Sequence, residues 1–423
     1  MIIGIDASRA NRRHKSGTEW YSYYLIRALA RLDSRNQYIL YTDTPLRDGL
    51  ADLTEEGEKH PLMPSIHVDG TQELKSPHGN FSAKVLGWRW RFLWSQGRLS
   101  LEMLFKRPDV LFVPAHALPL IHPRRSIVTI HDIGFCRDGS LYGRQRIGTD
   151  SRRSHRFLNG LVRVLSRGRY GANTFDYLDW STRFALNNAH KVIAISDFTK
   201  QELIEIYNAR SERISVVHNG YNTELYKPIT DHSVIENVLI RYGIKTPYLF
   251  YVGRLEKKKN IAALIEAFAL LKQKRGAGFD CTLCLAGDAS FGFDEVKYSI
   301  NEYGLERDII TTGWVQEKDL PALFGGAAGF VFPSNYEGFG IPLLQAMAMG
   351  TPIAASNIAS IPEIAGDAAV LFDPSDPSDM AVALEHLLYD TKLRERLISA
   401  GYERVRLFDW ERAAVSTLAV LES

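Results

Sequence analysis

Short runs of apolar, β-branched residues alternate with longer stretches of helical periodicity along most of the chain. Nearly continuous apolar runs are typical of parallel strands that helices cover on both faces. The pattern predicts strands in the first half of the chain at 2–7, 38–42, 109–114, 126–131, 191–196 and 215–218. In the second half it predicts strands at 248–252, 282–286, 309–312, 330–333, 353–356 and 369–372. Two successive βα arrays indicate an α/β protein of two doubly wound, Rossmann-like domains that face each other across a cleft.

The two arrays also set the expected domain boundaries. We expect a first domain over residues 1–227 and a second over 246–405, joined by a looser stretch that Pro228 and Pro247 punctuate. A length of 423 residues agrees with two domains. Residues 406–423 predict a final helix that begins near Trp410. In the first helix, predicted at 19–31, the inward positions are Trp20, Tyr23, Tyr24, Ala28 and Leu32.

Composition narrows the class of protein. Hydrophobic residues make up 45% and charged residues 24%, as in a folded protein. The 51 basic and 49 acidic residues balance, which argues against a nucleic-acid partner. No apolar run is long enough to span a bilayer, and the first residues predict a strand, so we expect a cytoplasmic protein. Cys281 and Cys284 lie three apart in a predicted strand and point to opposite faces, which argues against a redox or zinc site.

Two basic segments interrupt the alternation of predicted strands and helices. Residues 84–107 carry Trp88, Trp90 and Trp94, and residues 134–173 carry nine arginines. One interpretation is a pair of solvated, partly helical excursions with the tryptophans packed inward. The other is a basic, aromatic surface that meets anionic lipid head groups or a phosphate-bearing acceptor, which would attach the protein peripherally to the inner membrane face.

Residues 333–350 carry the clearest chemical signal. A strand ends at Pro333-Ser334, a glycine-rich turn follows, and a helix begins near Pro342. Backbone N–H groups and the positive end of the helix suit a diphosphate. Glu337 precedes this anion site and is placed to hold sugar hydroxyls, while Gln345 is placed to bond a ribose. The alternative is an ordinary strand–turn–helix connection.

Glu337-Gly338-Phe339-Gly340-Ile341-Pro342, with Gln345 eight positions after the glutamate, is similar to the EX7E signature of family 4 retaining glycosyltransferases, the group 1 enzymes of GT-B fold. The second Glu of that signature is replaced by Gln345. Other segments resemble the family in order and spacing: Gly253 to Asn260, Ala286-Gly287-Asp288, Thr312-Gly313-Trp314-Val315, Ser16-Gly17-Thr18-Glu19 and Thr129-Ile130-His131-Asp132.

The resemblance implies an acceptor-binding first domain, a second domain that binds a nucleotide-sugar, and a final helix that crosses back to the first domain. It implies that Glu337 and His131 act on the donor sugar. It also implies attack on the donor face that the phosphate leaves, without a protein nucleophile. We expect no cofactor, and no metal ion either, because the chain has no suitable Asp-x-Asp pair. The implied donor-binding residues are Gly17, Arg254, Lys259, Trp314, Val315, Phe339, Gly340, Ile341 and Gln345.

The substrates are a further expectation from the resemblance. Residues 6–9 and 17–19 resemble mannosyltransferases of polysaccharide and O-antigen assembly, which favours GDP-mannose as donor and a glycan or lipid-linked oligosaccharide as acceptor. A UDP-hexose donor stays open. So does a non-catalytic nucleotide-sugar-binding scaffold, because of Gln345. A sugar-nucleotide epimerase lacks a convincing acid–base pair here, and a nicotinamide oxidoreductase lacks a G-x-G-x-x-G turn.

Overall fold

The computed structural model describes residues 1–54, 67, 69–88, 93–143, 156, 159–160, 162–163 and 168–423. These residues form two compact α/β units. The first unit draws on Met1–Gly139, Arg144–Asn219 and Trp410–Ser423, and the second on Ser140–Gly143 and Gly220–Asp409. Trp90, Arg144, Arg146, Arg152, Arg153 and Arg167 of the two basic segments lie outside the described residues.

The first unit is built on an eight-stranded sheet of order β3-β4-β2-β1-β5-β6-β7-β8. Its pairs are parallel except for β3, which runs antiparallel to β4. The strands are β1 (Ile2–Asp6), β2 (Gln37–Thr42), β3 (Thr71–Gln72), β4 (Phe81–Val85), β5 (Val110–Val113), β6 (Ser126–Ile130), β7 (Lys191–Ala194) and β8 (Ile214–Val216). The helices before β8 are α1 (Gly17–Leu32), α2 (Ser100–Phe105), α3 (Gly134–Arg137), α4 (Thr174–Asn188) and α5 (Asp197–Tyr207).

The second unit is built on a six-stranded parallel sheet of order β11-β10-β9-β12-β13-β14. Its strands are β9 (Tyr248–Val252), β10 (Thr282–Ala286), β11 (Ile309–Gly313), β12 (Gly329–Phe332), β13 (Ile353–Ser356) and β14 (Ala369–Phe372). Its helices are α6 (His232–Tyr242), α7 (Ile261–Arg275), α8 (Phe293–Glu302), α9 (Leu320–Gly325), α10 (Ile341–Ala348), α11 (Ile361–Ala365), α12 (Pro377–Tyr389) and α13 (Thr391–Val405). Helices α7 and α12 pack together over an apolar core.

Helix α6 occupies the stretch that we expected to be a loose linker. Asp231 caps its first turn by accepting a hydrogen bond from the Ser233 N–H, and Gly243 ends it in the left-handed region. Ile235, Val238 and Leu239 bury one face of the helix. The second unit therefore begins at Gly220 rather than at residue 246, and the first ends at Asn219 rather than at 227.

The last helix, α14 (Trp410–Glu422), belongs to the first unit and packs on α1. Its Trp410 ring stacks on Tyr24, with centroids 5.7 Å apart, and meets Tyr21 edge-on at 5.8 Å. This packing corrects the predicted inward face of α1. The side chains buried completely include Tyr21, Leu25 and Leu29. Among the predicted positions Ala28 is buried, Trp20, Tyr23 and Tyr24 are half-buried, and Leu32 is exposed.

The two basic segments are partly accounted for by contacts inside the first unit. The indole N–H of Trp94 donates to both carboxylate oxygens of buried Asp6, at 3.0 and 3.1 Å. The Arg137 guanidinium pairs with Glu202 at 2.5 Å and with Glu205 at 2.8 Å, both on α5. The acids that balance this arginine therefore come from a distant element rather than from its own segment.

Burial raises the pKa of the Cys281 and Cys284 thiols to about 12, which fits two inert core cysteines. No helix within the described ranges is long and apolar enough to cross a membrane.

Candidate active site

Three glycines lie at or directly after the ends of three neighbouring strands, at the carboxyl edge of the second sheet. Gly253, Gly287 and Gly313 have φ angles of +153°, +138° and +66°, which side-chain-bearing residues rarely adopt. The Gly287 N–H donates to the Gly313 carbonyl at 2.9 Å, and a Cβ on Gly287 would collide with the carbonyl oxygen of Gly253. The glycines thus let the backbone of these three strand ends pack closely together.

Two side chains that follow strands of this sheet converge on Glu337. Lys259 lies in the turn after β9, and its Nζ is 2.5 Å from Glu337 Oε1. Ser334, which follows β12, donates its hydroxyl to the same oxygen at 2.7 Å. Within the described chain, the hydrogen bonds recorded for this carboxylate all fall on Oε1. Oε2 is therefore left to accept a hydrogen bond from a ligand.

Ser360 fixes the backbone of the glycine-rich turn. Its buried hydroxyl lies 2.9 Å from the Glu337 carbonyl and 3.2 Å from the Phe339 carbonyl. These bonds hold the turn on both sides of Gly338, so the Glu337 side chain is aimed by the backbone as well as by Lys259. The sequence did not assign a role to Ser334 or Ser360, although Ser334 follows a predicted strand end and sits three positions before the glutamate.

The N-terminus of α10 follows directly. Gly340 precedes the helix with φ +107°, and a Cβ there would lie 3.1 Å from Leu343 and 3.3 Å from Phe332. Among the described residues no side chain caps α10, so its first backbone donors and its positive dipole end stay available for an anion. The Phe339 ring is buried edge-on against Phe408 at 5.9 Å, so this residue offers a ligand its backbone rather than its ring.

The remaining donor-site predictions differ in exposure. Arg254, just after β9, is exposed, and its guanidinium has no hydrogen-bond or ion-pair partner recorded in the described part of the chain. Gln345 is half-buried in α10, and no partner is recorded for its amide within the same ranges. Trp314 is exposed after β11, whereas Val315 is buried. Ile341 is half-buried at the start of α10.

In the first unit, His131 follows β6 at the carboxyl edge of the sheet. Its Nε2 lies 3.0 Å from the Pro114 carbonyl oxygen, which can only accept, so Nε2 carries the proton and Nδ1 keeps a lone pair. Burial, together with neighbouring His116, lowers the His131 pKa to about 4. The ring is therefore neutral at pH 7, with Nδ1 as a hydrogen-bond acceptor.

Helix α1 supports this histidine and presents Gly17. Tyr21 packs edge-on against the His131 ring at 4.8 Å, and its hydroxyl lies 3.1 Å from Thr129 Oγ1. Ser16 and Glu19 form a capping box that starts α1 at Gly17. Gly17 is exposed, with nothing within 4 Å of the place a Cβ would occupy. Gly17 and His131 belong to the first unit, and the other predicted site residues belong to the second.

Basic side chains, glycine turns and an uncapped helix end at the carboxyl edge of a parallel sheet are typical of proteins that bind a phosphorylated ligand. Comparison with known proteins makes the assignment specific. Residues 15–225 match the family described as Glycosyltransferase Family 4, and residues 241–404 match Glycosyl transferases group 1. The chain belongs to glycosyltransferase family 4 and has the GT-B fold, as the sequence predicted.

Similar proteins agree with that assignment. The chain is 32% identical to O-antigen chain mannosyltransferase B of Escherichia coli over 244 residues, which are 57% of this chain and 63% of that protein. It is 29% identical to serotype-specific mannosyltransferase WbdA of Escherichia coli over 258 residues, 60% of this chain and 31% of that protein. The match thus spans less than two thirds of either relative. Sucrose-phosphate synthase from Thermosynechococcus elongatus shares the fold, with a TM-score of 0.69 at 18% identity over 100% of this chain and 98% of that one.

Proposed function

We propose that the chain is a hexosyltransferase that moves mannose from GDP-mannose, with retention of configuration, to a hydroxyl of a glycan or lipid-linked oligosaccharide in polysaccharide or O-antigen assembly. The observation that carries the proposal is the Glu337 carboxylate, held by Lys259 and Ser334 next to the uncapped N-terminus of α10. The two Escherichia coli mannosyltransferases support the choice of sugar.

The donor diphosphate would bind at the carboxyl edge of the second sheet. Arg254 is exposed there and can form a bidentate pair with a phosphate. Lys259 adds a second positive charge, and the start of α10 adds backbone donors and about half a charge. Gln345, in α10 itself, would bond the ribose through its side-chain amide. These groups would neutralise the leaving diphosphate without requiring a divalent cation.

Glu337 Oε2 would hold a hydroxyl of the donor sugar. Because Lys259 and Ser334 both engage Oε1, the carboxylate is fixed in one orientation before the donor arrives. A negative charge fixed near the sugar also stabilises the positive charge that develops on an oxocarbenium-like ring. In the first unit, the lone pair on His131 Nδ1 would accept a hydrogen bond from a substrate hydroxyl.

The chemical step would take place on one face of the sugar. The acceptor oxygen bonds to C1 as the bond from C1 to the phosphate oxygen breaks, and the electron pair of that bond passes to the nucleoside diphosphate. The proton of the acceptor hydroxyl moves to the departing phosphate oxygen. Retention follows without a covalent enzyme intermediate, so no protein nucleophile is assigned. Arg254 and Lys259 would stabilise the charge as it develops on the leaving group.

The first experiment is a thermal-shift panel with GDP, UDP, ADP and their hexose conjugates. A ligand at about 100 times its Kd adds about 2.7 kcal/mol to the free energy of unfolding, which is a shift of several degrees for a domain of this size. We expect GDP and GDP-mannose to shift the unfolding temperature most. Arg254→Ala should reduce the shift, whereas Arg307→Ala should not, because Arg307 is also exposed but lies before β11, at the opposite edge of the sheet.

The second experiment follows the anomeric configuration of the product by NMR, with and without EDTA. We expect the configuration of the donor to be kept and the chelator to have no effect on the rate. In the thermal-shift panel, a larger shift with UDP and a UDP-hexose would indicate a UDP-hexose donor instead of GDP-mannose. A nucleotide-sugar that shifts the unfolding temperature but is not transferred to any acceptor would favour the scaffold alternative, which the replacement of a Glu by Gln345 leaves open.

A further inference from the structure

The first unit exposes a cluster of large apolar side chains on and beside α2. Leu101, Leu104 and Phe105 of this helix are 50%, 47% and 76% exposed, and Leu120 is 50% exposed. The Leu120 N–H donates to the Ser100 hydroxyl at 2.9 Å, which places Leu120 against the start of α2. We call these four residues the α2 face. Clusters of this kind on a folded protein mark interaction surfaces.

The opposite side of α2 is anchored, so the α2 face cannot turn inward. Leu99 and Met103 are fully buried, and Ser100 Oγ also donates to the Ser95 carbonyl at 2.8 Å. Glu102 is buried as well, and it pairs with Lys84 of β4 and with Arg98. The helix is therefore held with its apolar face outward.

The exposed charges next to the α2 face in sequence are basic apart from Asp109, which accepts a hydrogen bond from the Ile2 N–H at 2.7 Å. Lys106 and Arg107 follow the helix directly and are exposed, and Arg124 is exposed four residues after Leu120. The acid on the helix itself, Glu102, is buried and paired. An apolar surface flanked by cations complements a bilayer that carries anionic head groups, because the aliphatic side chains enter the interface while the cations meet the head groups.

We propose that the α2 face docks the protein onto an anionic lipid bilayer. This goes beyond the proposed transfer reaction and does not depend on it. A second copy of the chain fits the same face less well, because an isologous contact would bring each set of cations close to its own symmetry mate. The proposed membrane contact does not use the described tryptophans of residues 84–107, because Trp94 bonds Asp6 and Trp88 lies beside Gly97.

Flotation with vesicles tests this proposal directly. The full chain should float with vesicles of phosphatidylethanolamine and phosphatidylglycerol and much less with pure phosphatidylcholine. Phe105→Ser should lower the partition coefficient roughly tenfold or more, as expected when a phenyl ring no longer leaves water, and the triple variant L101S/L104S/F105S should stay unbound. Lys106→Ala should weaken binding about fivefold at low salt and less at high salt.

Ile240→Ser supplies the matched control. Ile240 is 77% exposed on α6 of the second unit, so its replacement removes a similar exposed apolar side chain without touching the α2 face. It should float like the unmodified chain. A thermal melt checks that each variant is folded, and nucleotide binding in solution stays a separate readout that the lipid result does not affect.

Three outcomes would overturn the proposal. The first is an unmodified chain that does not float with anionic vesicles at low salt. The second is a folded triple variant that floats as well as the control. The third is sedimentation analysis that finds a dimer in the unmodified chain and a monomer in the triple variant, which would assign the α2 face to self-association.

Discussion

The ion pair between Lys259 and Glu337 permits a sharp test of how the site is built. Both side chains are largely buried, 17% and 11% exposed, and their charged atoms are 2.5 Å apart. Lys259→Met keeps the length of the side chain but leaves the Glu337 carboxylate buried with one hydroxyl partner, Ser334. Removing one partner of a buried pair costs about 3–5 kcal/mol. Since some exposure and one hydrogen bond remain here, we expect about 3 kcal/mol.

A double-mutant cycle separates the pair from the loss of packing. Glu337→Gln alone should also destabilise the second unit, because it leaves the Lys259 cation without its anion. The double variant removes both charges and should recover much of the loss, which gives a coupling energy of about 2 kcal/mol. The control is the pair Lys257–Glu295, from the same turn, with nitrogen and oxygen 3.0 Å apart and side chains 37% and 52% exposed. Its coupling should stay below about 1 kcal/mol.

Urea and thermal unfolding provide the measurement, with the transition of the second unit followed by a probe in that unit. A loss of about 3 kcal/mol lowers the unfolding temperature by about 6–12 °C for a domain of this size. The same variants measured with nucleotide show whether Lys259 also binds the donor. Equal coupling at the two pairs would refute the view that Lys259 holds a buried carboxylate in place, and Lys259 would then be a solvated cation like Lys257.

Three further predictions concern single residues. Gly287→Ala should destabilise the second unit by more than 1 kcal/mol in a urea melt, because its φ is +138° and the new Cβ meets the Gly253 carbonyl. The pKa of His131 is lowered to about 4, so the stability that its neutral form contributes is complete above pH 6.5 and is lost as the pH falls toward 4. Unfolding of the unmodified chain and of His131→Gln at pH 7 and pH 4.5 should show a smaller loss in the variant. Gln345→Glu should tighten nucleoside diphosphate binding by up to about tenfold in calorimetry, since a charged hydrogen bond to ribose is stronger than a neutral one.

Most of the sheet framework followed from apolar runs alone. Strands β9, β10, β13 and β14 have the bounds that the pattern predicts, because each is a largely apolar run. Strands β9, β10 and β13 are almost entirely buried, whereas β14 lies at the sheet edge with only Phe372 buried. Strand β4 was missed. Its buried residues Phe81 and Ala83 alternate with Ser82 and Lys84, and its partner β3 has two residues, so no apolar run marks this end of the sheet. Strands near a sheet edge need fewer buried positions and give a weaker pattern.

The buried face of α1 and the ion pair between Lys259 and Glu337 both depend on tertiary contacts. Three aromatic residues of α1 satisfy a helical stripe, but the position of α14 decides which face of the helix is covered, and that helix lies at the other end of the sequence. In the same way, the local motifs predicted separate ligand roles for Lys259 and Glu337. The contact between them spans 78 positions and could not be derived from local pattern.

The effect of Gln345 on donor binding should depend on the charges around it. Arg254, Lys259 and Glu337 together carry a net charge of +1 at the carboxyl edge of the second sheet, and a glutamate at 345 would cancel it. In the proposed site, the amide would form a weaker bond to ribose than a carboxylate would, but it would also repel the diphosphate less. The hydrogen bond acts at contact and the repulsion acts through solvent, so salt screens the second more than the first. The gain from Gln345→Glu should consequently grow as ionic strength rises, and a gain that shrinks with salt would show that the new carboxylate does not bond the ribose.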